Sequence, residues 1–538
     1  MNETGAGADR PQKTISTSRE GHSSLSRRGF IRGSSAALGL GVVGVIAERA
    51  ATRPAGEPTD PDRLSVFRHG VASGDPTADS VVLWTRITPG SDHSSHAGVV
   101  WEVTTDPGMT RPVRSGYTIT SAERDHTVKI DVDGLAPDTT YHYRFTSNGA
   151  MSEIGRTRTA PAADANIDTL ELGFVAHSPW SAGCFGAYRE LSTRPELAAI
   201  VHIGDYLGLG SAAVAGVSRA SVGHQPATPD PISLADFRSR YELHRSDPDL
   251  QAAHSAAPWI CTSPCTTSSL ADDDVARNAK QAFFEWMPVR EPRTGEASDR
   301  SIGFGSRVDL FMTGTRRDEG GAVQLPHDPS SWPSTNLKRL GAQWKVVASP
   351  AMVAPVNVTP LDPAAASVLA QLLSLPPGDT DVTAYPWDGL DDDRRAMLTE
   401  IDSSATDNVV FVAGDSRMSW AGDVPVRDRS VAAQFGIPPV SAAVVGDLGP
   451  AVADSVTSTV SALNDHVRHL DPSSQGFGVL LADERRLRMQ IWSVSATEQH
   501  TRPAQLIAEY TVASGARRIT EVNSSAVAPS AAEYAGRQ

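Results

Sequence analysis

Short apolar runs separated by turn residues are the main pattern between residues 64 and 160. The clearest run, Val81–Arg86, follows a Gly-Asp-Pro turn, and similar runs cover residues 99–104, 127–132 and 141–146. Runs of this length and spacing, with polar turns and no helical period, are typical of a β-sandwich of about 100 residues. We therefore predict a β-sandwich over residues 64–160, followed by an Ala/Pro/Asp-rich linker at 159–168.

Beyond residue 169, apolar strands alternate with stretches of helical period. Strands are predicted at 170–176, 198–203, 308–313, 344–349 and 409–413, and helices at 187–197, 234–244, 276–286 and 391–401. This alternation predicts an α/β domain over residues 169–523, in which the loops after the strands are the usual place for chemistry. Residues 524–538 contain few apolar positions and are predicted to form a flexible tail.

The first 55 residues have the pattern of an export signal. A polar start precedes Arg27 and Arg28, and a weakly apolar stretch over 33–47 is followed by small residues. That stretch is too short to span a bilayer, and no other segment reaches the roughly 18 apolar residues of a transmembrane helix. The order resembles a twin-arginine signal, so we expect export by the twin-arginine machinery to the cell envelope or the medium. The alternative is a coincidental basic pair.

Charge and cysteine content narrow the function classes. With 48 Lys and Arg against 63 Asp and Glu, the net charge is −15, which argues against sequence-independent nucleic-acid binding. A phosphate-bearing ligand would need a local positive site. Cys184, Cys261 and Cys265 are too few for a disulfide scaffold. Cys261 and Cys265 are a weak zinc signal, and pairing with each other, pairing with Cys184 and burial as free thiols all remain open.

Several segments together resemble the PhoD-like alkaline phosphatases and phosphodiesterases. They are FRHGVASGDPTADSVVLWTRITP (67–89), HIGDYLGLG (202–210), LADFRSRYELHRSDPDLQAAHSAAPWI (234–260), AFFEWMPVR (282–290), WDGLDDDRRAML (387–398) and NVVFVAGDSRMSWAGD (408–423). The resemblance implies a small, fibronectin-III-like β-sandwich followed by a four-layer α/β/β/α metallophosphoesterase domain. It also implies hydrolysis of phosphate mono- or diesters outside the cytoplasm, with iron and calcium or another divalent metal as cofactor.

At most positions where the family has metal ligands, this chain has other residue types. Cations of such a centre activate a bound water and neutralise charge, and they require several carboxylate, imidazole or thiolate ligands. By the resemblance, Ser178 takes the place of a thiolate, Gly208 of a tyrosine and Leu209 of a glutamate. The most acidic family motif is replaced by Pro264, Cys265, Thr266 and Thr267. We therefore expect a degenerate metal site.

The side chains that remain suitable for metal binding are Asp205, Asp415 and His466. The two aspartates each follow a glycine at the end of an apolar strand, where a carboxylate can equally accept amide hydrogen bonds as a structural residue. His466 is either a ligand or a hydrogen-bonded histidine. His177 and the triplet at 272–274 are candidates to replace lost ligands. The triplet is explained more simply as negative charge in the first turn of a helix.

Arginines offer a different chemistry at the same loops. Arg417 replaces the histidine of the family's Gly-Asp-x-His motif, and a guanidinium can bind phosphate in bidentate fashion without metal. Arg316, with Arg317, is a second candidate for phosphate binding. The alternative for Arg417 is a structural salt bridge with Asp415 or Asp205.

These observations leave three functions open. The first is an exported PhoD-like homologue with weak or absent phosphoester hydrolysis. The second is an extracytoplasmic binding protein that uses Arg417 in the former cleft to hold a phosphorylated or anionic small molecule. The third is a structural or protein-interaction role.

Overall fold

The computed structural model describes residues 65–90, 95–209, 230–262, 273–291, 300–313, 316–317, 323–324, 341–350, 352–355, 391–414, 417–495 and 502–524. The predicted export signal, Asp415, residues 264–267 and the predicted tail therefore lie outside the described residues, except for Ser524, which was predicted to be part of the tail and instead ends a strand. For Arg316 and Arg317 only the backbone is described. All the described residues belong to one unit that spans 58–538.

A ten-stranded sheet forms one layer of the fold. Its strands follow the spatial order β24 (Glu521–Ser524), β23 (Gln505–Ala513), β22 (Arg486–Val494), β21 (Gln475–Ala482), β9 (Leu170–Val175), β10 (Ala199–His202), β11 (Pro258–Cys261), β1 (Val71–Gly74), β2 (Val81–Arg86) and β5 (Thr127–Val132). β9, β10 and β11 are parallel neighbours, with His202 in register with Val175 and Cys261. The carboxyl ends of these strands therefore meet at one edge.

A seven-stranded sheet forms the second layer. Its order is β12 (Arg300–Phe304), β13 (Val308–Met312), β16 (Trp344–Ser349), β17 (Val409–Ala413), β19 (Arg429–Gly436), β18 (Ser419–Val426) and β20 (Val467–Asp471). β13, β16, β17 and β19 run parallel, and the others are antiparallel to their neighbours. A short ribbon pairs β14 (Arg316–Arg317) with β15 (Val323–Gln324).

A third, five-stranded sheet belongs to the amino-terminal region. It contains β4 (Arg114–Ser121), β3 (His96–Thr104), β6 (Thr140–Ser147) and β7 (Ala150–Met151), with β8 (Gly155–Arg158) paired to β6. Its core is shared with β1, β2 and β5 and includes Leu83, Val99 and Phe145. Because β1 also pairs in parallel with β11, strands of the predicted sandwich continue a sheet of the α/β region. The proposed division at 64–160 and 169–523 stays a prediction.

Helices cover the outer faces of the two large sheets. They are α1 (Gly186–Ser192), α2 (Leu234–Arg245), α3 (Pro248–Ala256), α4 (Asp273–Trp286), α5 (Asp391–Ser403) and α6 (Pro450–Leu463). Ser233 and Asp236 form a capping box at the start of α2, and Asp247 caps α3, whose first residue is Pro248. Both are established start signals for helices. Among the helices described, none is long and apolar enough to cross a membrane.

The hydrophobic core confirms the predicted four-layer α/β/β/α arrangement. Phe174 and Val201 of the first sheet pack with Val346 and Val410 of the second between the two sheets. Helices α1 to α4 pack on the outer face of the ten-stranded sheet, and α5 and α6 pack on the outer face of the other. Each sheet is therefore buried on both faces, as its nearly continuous apolar strands require.

Candidate functional site

Two facing sheets bring the ends of β9, β10 and β17 together. Gly414, just after β17, lies against the end of the other sheet: a Cβ atom built on it would be 2.2 Å from the carbonyl oxygen of Ile203 and 3.1 Å from Cβ of Ala176. No residue with a side chain fits at that distance. The glycine of this Gly-Asp pair thus permits the close approach that creates the site.

Three residues at these strand ends have left-handed backbones. The φ angles are 49° at His177, 50° at Asp205 and 43° at Arg417. Residues other than glycine adopt this region infrequently, and such conformations persist only where the surrounding structure holds them. Here the carbonyl of His177 accepts hydrogen bonds from the amides of Val440 and Ser441, at 3.1 and 3.3 Å. These two hydrogen bonds hold the backbone of His177 in place.

His177 and Asp205 form a buried pair at the centre of the site. Nδ1 of His177 lies 2.8 Å from Oδ2 of Asp205, and the amide of Leu209 donates to Oδ1 at 3.0 Å. Burial alone would raise the pKa of Asp205, but the hydrogen bond and charge of His177, the charge of Arg417 and the Leu209 amide together lower it. Asp205 is therefore ionised. Nδ1 of His177 carries a proton and donates the hydrogen bond to Oδ2 of Asp205.

Ser178, at the position of the family thiolate, is buried and hydrogen-bonded. Its hydroxyl donates to the carbonyl oxygen of Tyr206 at 3.0 Å, and Nε2 of His202 lies 3.3 Å from the hydroxyl oxygen of Ser178. Because the hydroxyl proton is used on Tyr206, Nε2 of His202 is the donor to Ser178. Burial lowers the pKa of His202 to about 3, so this imidazole is neutral.

Gly208 occupies the position where the family has a second tyrosine. Its φ angle is 66°, and a Cβ atom there would lie 2.2 Å from Cβ of Pro179. The residue after Gly208, Leu209, is buried in the apolar cluster beneath the loop. A side chain at position 208 would therefore have to displace Pro179 as well as adopt a left-handed backbone.

Arg417 lies in the same site and is only 5% exposed. Its charge acts on Asp205 and favours the carboxylate. The structure thus brings together three of the residues singled out from the sequence, His177, Asp205 and Arg417. It is consistent with the electrostatic pairing of Arg417 with Asp205, one of the two alternatives left open for this arginine.

His466 is held differently from the other candidates. Its Nε2 donates to the carbonyl of Pro355 at 2.6 Å, and burial lowers its pKa. In the described residues, Cys184 and Cys261 are buried thiols outside any disulfide. Asp273 begins α4, and Asp274 contacts Arg277 within its first turns. Asp272 and Cys265 lie outside the described residues.

A cluster of buried aromatic and histidine side chains next to Asp205 was not predicted from the sequence. Tyr206 contacts Nε2 of His254 through its hydroxyl at 3.1 Å, and the rings of His202 and His254 stack on Trp259. His244 lies between the carbonyls of Arg240 and Ser178. One signal was present: His202 interrupts an otherwise apolar strand, as a buried polar residue with a partner does.

Comparison with known proteins shows the family to which the chain belongs. The family described as "PhoD-like phosphatase, N-terminal domain" matches residues 51–161, and "PhoD-like phosphatase" matches residues 172–263 and 266–491. The chain belongs to the PhoD-like phosphatase family. Alkaline phosphatase D of Bacillus subtilis (strain 168) is 29% identical in a 498-residue alignment that covers 83% of this chain and 81% of the relative.

A solved structure of PhoD shares the fold. It superposes with a TM-score of 0.74 and 24% sequence identity, covering 88% of this chain and 95% of the PhoD chain. At this identity the likeness supports the fold. The function has to be argued from the site itself.

The described residues do not fit the metal centre that the PhoD-like family implies. Both oxygens of Asp205 already have partners, Ser178 offers a hydroxyl instead of a thiolate, and Gly208 offers no ligand atom. Among the residues with described side chains, no three His, Cys, Asp or Glu lie close enough to hold a metal ion. A hard dication needs several oxygen ligands, and this part of the site does not provide them.

Proposed function

We propose that this chain is an exported PhoD-like phosphatase homologue whose altered site has weak or absent phosphoester hydrolysis. The observation that carries the proposal is the His177–Asp205 pair at 2.8 Å. In a metal centre, this carboxylate would bind a cation. Here an imidazole and a backbone amide take up both of its oxygens, and the charge of Arg417 stabilises the same carboxylate.

Two packing features support the same proposal. Pro179 fills the space that a side chain at position 208 would need, and the Ser178 hydroxyl is used inside the fold. Because these residues fit one another, replacing a single one would not rebuild a ligand set. The site therefore has the properties of a packed and electrostatically neutralised region.

The test is metal analysis of the purified mature protein together with a phosphodiesterase assay. We expect little bound iron or calcium, activity far below that of a typical family member, and little change in Asp205→Asn. Asp138→Asn is the matched control, because Asp138 is a surface residue paired with Arg158. Close to two metal ions per chain, with robust activity that Asp205→Asn abolishes, would show the proposal to be wrong. Such a result would assign ligands to Asp415, 272–274 or the cysteines.

A second candidate function is metal-free binding of a phosphorylated or anionic small molecule. The buried position of Arg417 beside Asp205 favours it, because a fixed cation in a largely dry site interacts strongly with an anion. Inorganic phosphate in the presence of EDTA should then raise the unfolding temperature of the wild-type protein and not that of Arg417→Gln. Arg429→Gln, on a side chain that is 72% exposed, serves as the control and should respond as the wild type does.

Export by the twin-arginine route remains part of the proposal. It is supported by Arg27 and Arg28 in front of the weakly apolar stretch at 33–47. Replacing both arginines with lysine should leave the precursor in the cytoplasm, as judged by cell fractionation and immunoblotting. Unimpaired export of that variant would contradict the assignment.

A further inference from the structure

Arg245, the last residue of α2, is completely buried. Its guanidinium carbon lies 4.2 Å from the ring centre of Trp84 on β2. Within the described part of the chain, no carboxylate lies within hydrogen-bond distance of its three side-chain nitrogens, and a polar group that contacts the guanidinium is the uncharged Tyr206 hydroxyl. A guanidinium remains charged in proteins, and an uncompensated buried charge is strongly unfavourable.

Arg86 shows how the same packing is compensated elsewhere in this fold. It lies 5.1 Å from the ring centre of Trp286 and is also nearly buried. Its guanidinium pairs with the carboxylates of Asp125 at 2.8 Å and Glu242 at 3.5 Å. Arg86 and Arg245 thus each pack on a tryptophan, but within the described structure only Arg86 is paired with carboxylates.

Two buried hydroxyls lie near Arg245. They belong to Ser73 on β1 and Tyr143 on β6, and neither has a hydrogen-bond partner in the described structure other than the other hydroxyl. Both Ser73 and the charge of Arg245 act on the Tyr143 phenol, which places the three side chains together. Tyr143 reaches this position across Gly155, where a Cβ atom would lie 2.3 Å from its ring. Hydroxyls can donate hydrogen bonds, so the cluster is rich in donors.

The charged and titratable groups near Arg245 include the carboxylate of Glu153 and two imidazoles. Glu153 is exposed at the surface, and its effect on Arg245 ranks after those of Tyr206 and Tyr143. Burial and the charge of Arg245 hold the pKa of His254 well below its usual value, and burial with Arg86 and Arg245 lowers that of His69 to about 3. These imidazoles stay neutral chiefly because they are buried, and the positive charge of Arg245 adds to the effect.

We propose that Arg245, Ser73 and Tyr143 form an internal binding site for a small inorganic anion of the halide class, with chloride as the occupant. An anion would accept hydrogen bonds from the guanidinium and both hydroxyls and would neutralise the charge, whereas a water molecule would leave the charge uncompensated. The site joins β1, β6 and the end of α2. It does not depend on whether the chain hydrolyses phosphate esters.

Crystals of the mature protein soaked in sodium bromide give the direct test. Anomalous scattering at the bromine edge should show one site within hydrogen-bond distance of the Arg245 guanidinium, because bromide replaces chloride with similar chemistry. Ordered water alone at that position, or no bromine signal there, would overturn the proposal.

Thermal unfolding gives an independent test in solution. At equal ionic strength, chloride should raise the unfolding temperature of the wild-type protein relative to gluconate, because a ligand of the folded state stabilises it. Arg245→Met should lose this chloride dependence. Arg86→Met is the matched control: it should unfold at a lower temperature but keep the response to chloride. Equal behaviour in both salts, or an unchanged response in Arg245→Met, would contradict an anion site.

A milder variant covers the case in which Arg245→Met does not fold. Tyr143→Phe keeps the charge and removes one donor, and a hydrogen bond to a charged group changes binding on the order of tenfold. The chloride concentration at half-maximal stabilisation should therefore rise by about that factor. No rise in this variant would also count against the site.

Discussion

The strand-end site and the Arg245 cluster both bury charge, but among the described residues only the charges of the strand-end site are compensated by neighbouring groups. At the strand ends, Asp205 has His177, the Leu209 amide and the charge of Arg417 around it. Around Arg245, the described side chains offer aromatic faces and hydroxyls. At the strand ends, where the resemblance places the family's metal site, the charges of the described residues are paired with one another. At Arg245, which no family motif singles out, the charge is not paired in this way, and this is the position for which we propose a ligand.

Backbone contact, rather than charge, should dominate the stability of the strand-end site. In Gly414→Ala the new Cβ would meet the carbonyl oxygen of Ile203 at 2.2 Å, so the two sheets would have to separate locally. We expect a loss of about 3 kcal/mol in the free energy of unfolding, measured by urea denaturation. Gly341→Ala is the control, because a Cβ at Gly341 has no atom within 4 Å. Equal stability of the two variants would mean that the sheets do not pack this closely.

The buried carboxylate of Asp205 should contribute measurably to the free energy of unfolding, but less than the backbone contact at Gly414. Asp205→Asn keeps the shape and removes the charge that His177 and Arg417 stabilise, which should cost about 2 kcal/mol at neutral pH. Because the folded-state pKa of Asp205 is lowered, this contribution is present above the unfolded-state pKa and is lost as the pH falls through the folded one.

Urea unfolding of wild type and Asp205→Asn at several pH values measures this contribution. The difference between them should shrink in acid. Asp131→Asn, in a surface pair with Arg290 whose aspartate is 53% exposed, should change stability by less than about 0.5 kcal/mol. If Asp205→Asn behaves like that control, the strand-end charges are not coupled as described.

The buried imidazole of His202 should have a smaller effect on the free energy of unfolding, which appears only in mild acid. Its pKa is lowered to about 3 by burial, so below the ordinary pKa near 6.5 the unfolded chain binds a proton that the folded chain does not. This one residue should therefore reduce stability by up to about 1.4 kcal/mol for each pH unit below that value. His202→Gln should flatten the decline between pH 6 and 5. An unaltered slope in His202→Gln would show that the imidazole titrates normally.

Local sequence patterns predicted the bounds of four strands accurately. The predicted ranges for Val81–Arg86, Thr127–Val132, Trp344–Ser349 and Val409–Ala413 coincide with the observed strands. These runs are apolar, rich in β-branched residues and bounded by turn residues, so burial and backbone preference agree. The helix predicted at 187–197 ends at Ser192 instead. The strands not predicted are β1, β4, β7, β8, β11, β12, β14, β15 and β18 to β24, and helices α3 and α6 were not predicted either.

The strand-end site was predicted in part. Asp205 follows a glycine after an apolar strand, and the structure places it at the site. Its pairing with His177, 28 positions earlier in the chain, was not predicted. The sequence analysis considered His177 as a replacement metal ligand and Arg417 as an anion or carboxylate partner. Which side chain takes which oxygen depends on loop conformations with positive φ angles, and such conformations have no strong sequence signal outside glycine and asparagine.

By itself, the sequence determined an α/β pattern and the strand ends at which the site lies, because these follow from local patterning. The order of its motifs determined the resemblance to the family, and that resemblance implied the four-layer α/β/β/α class. The tertiary structure decided which charges meet. Arg245 faces Trp84 and Tyr143, residues more than a hundred positions away, since the amino-terminal strands pack against the helices that follow β10. Compensation of a buried charge is a property of neighbours in space. It is decided only when the sheets and helices have packed.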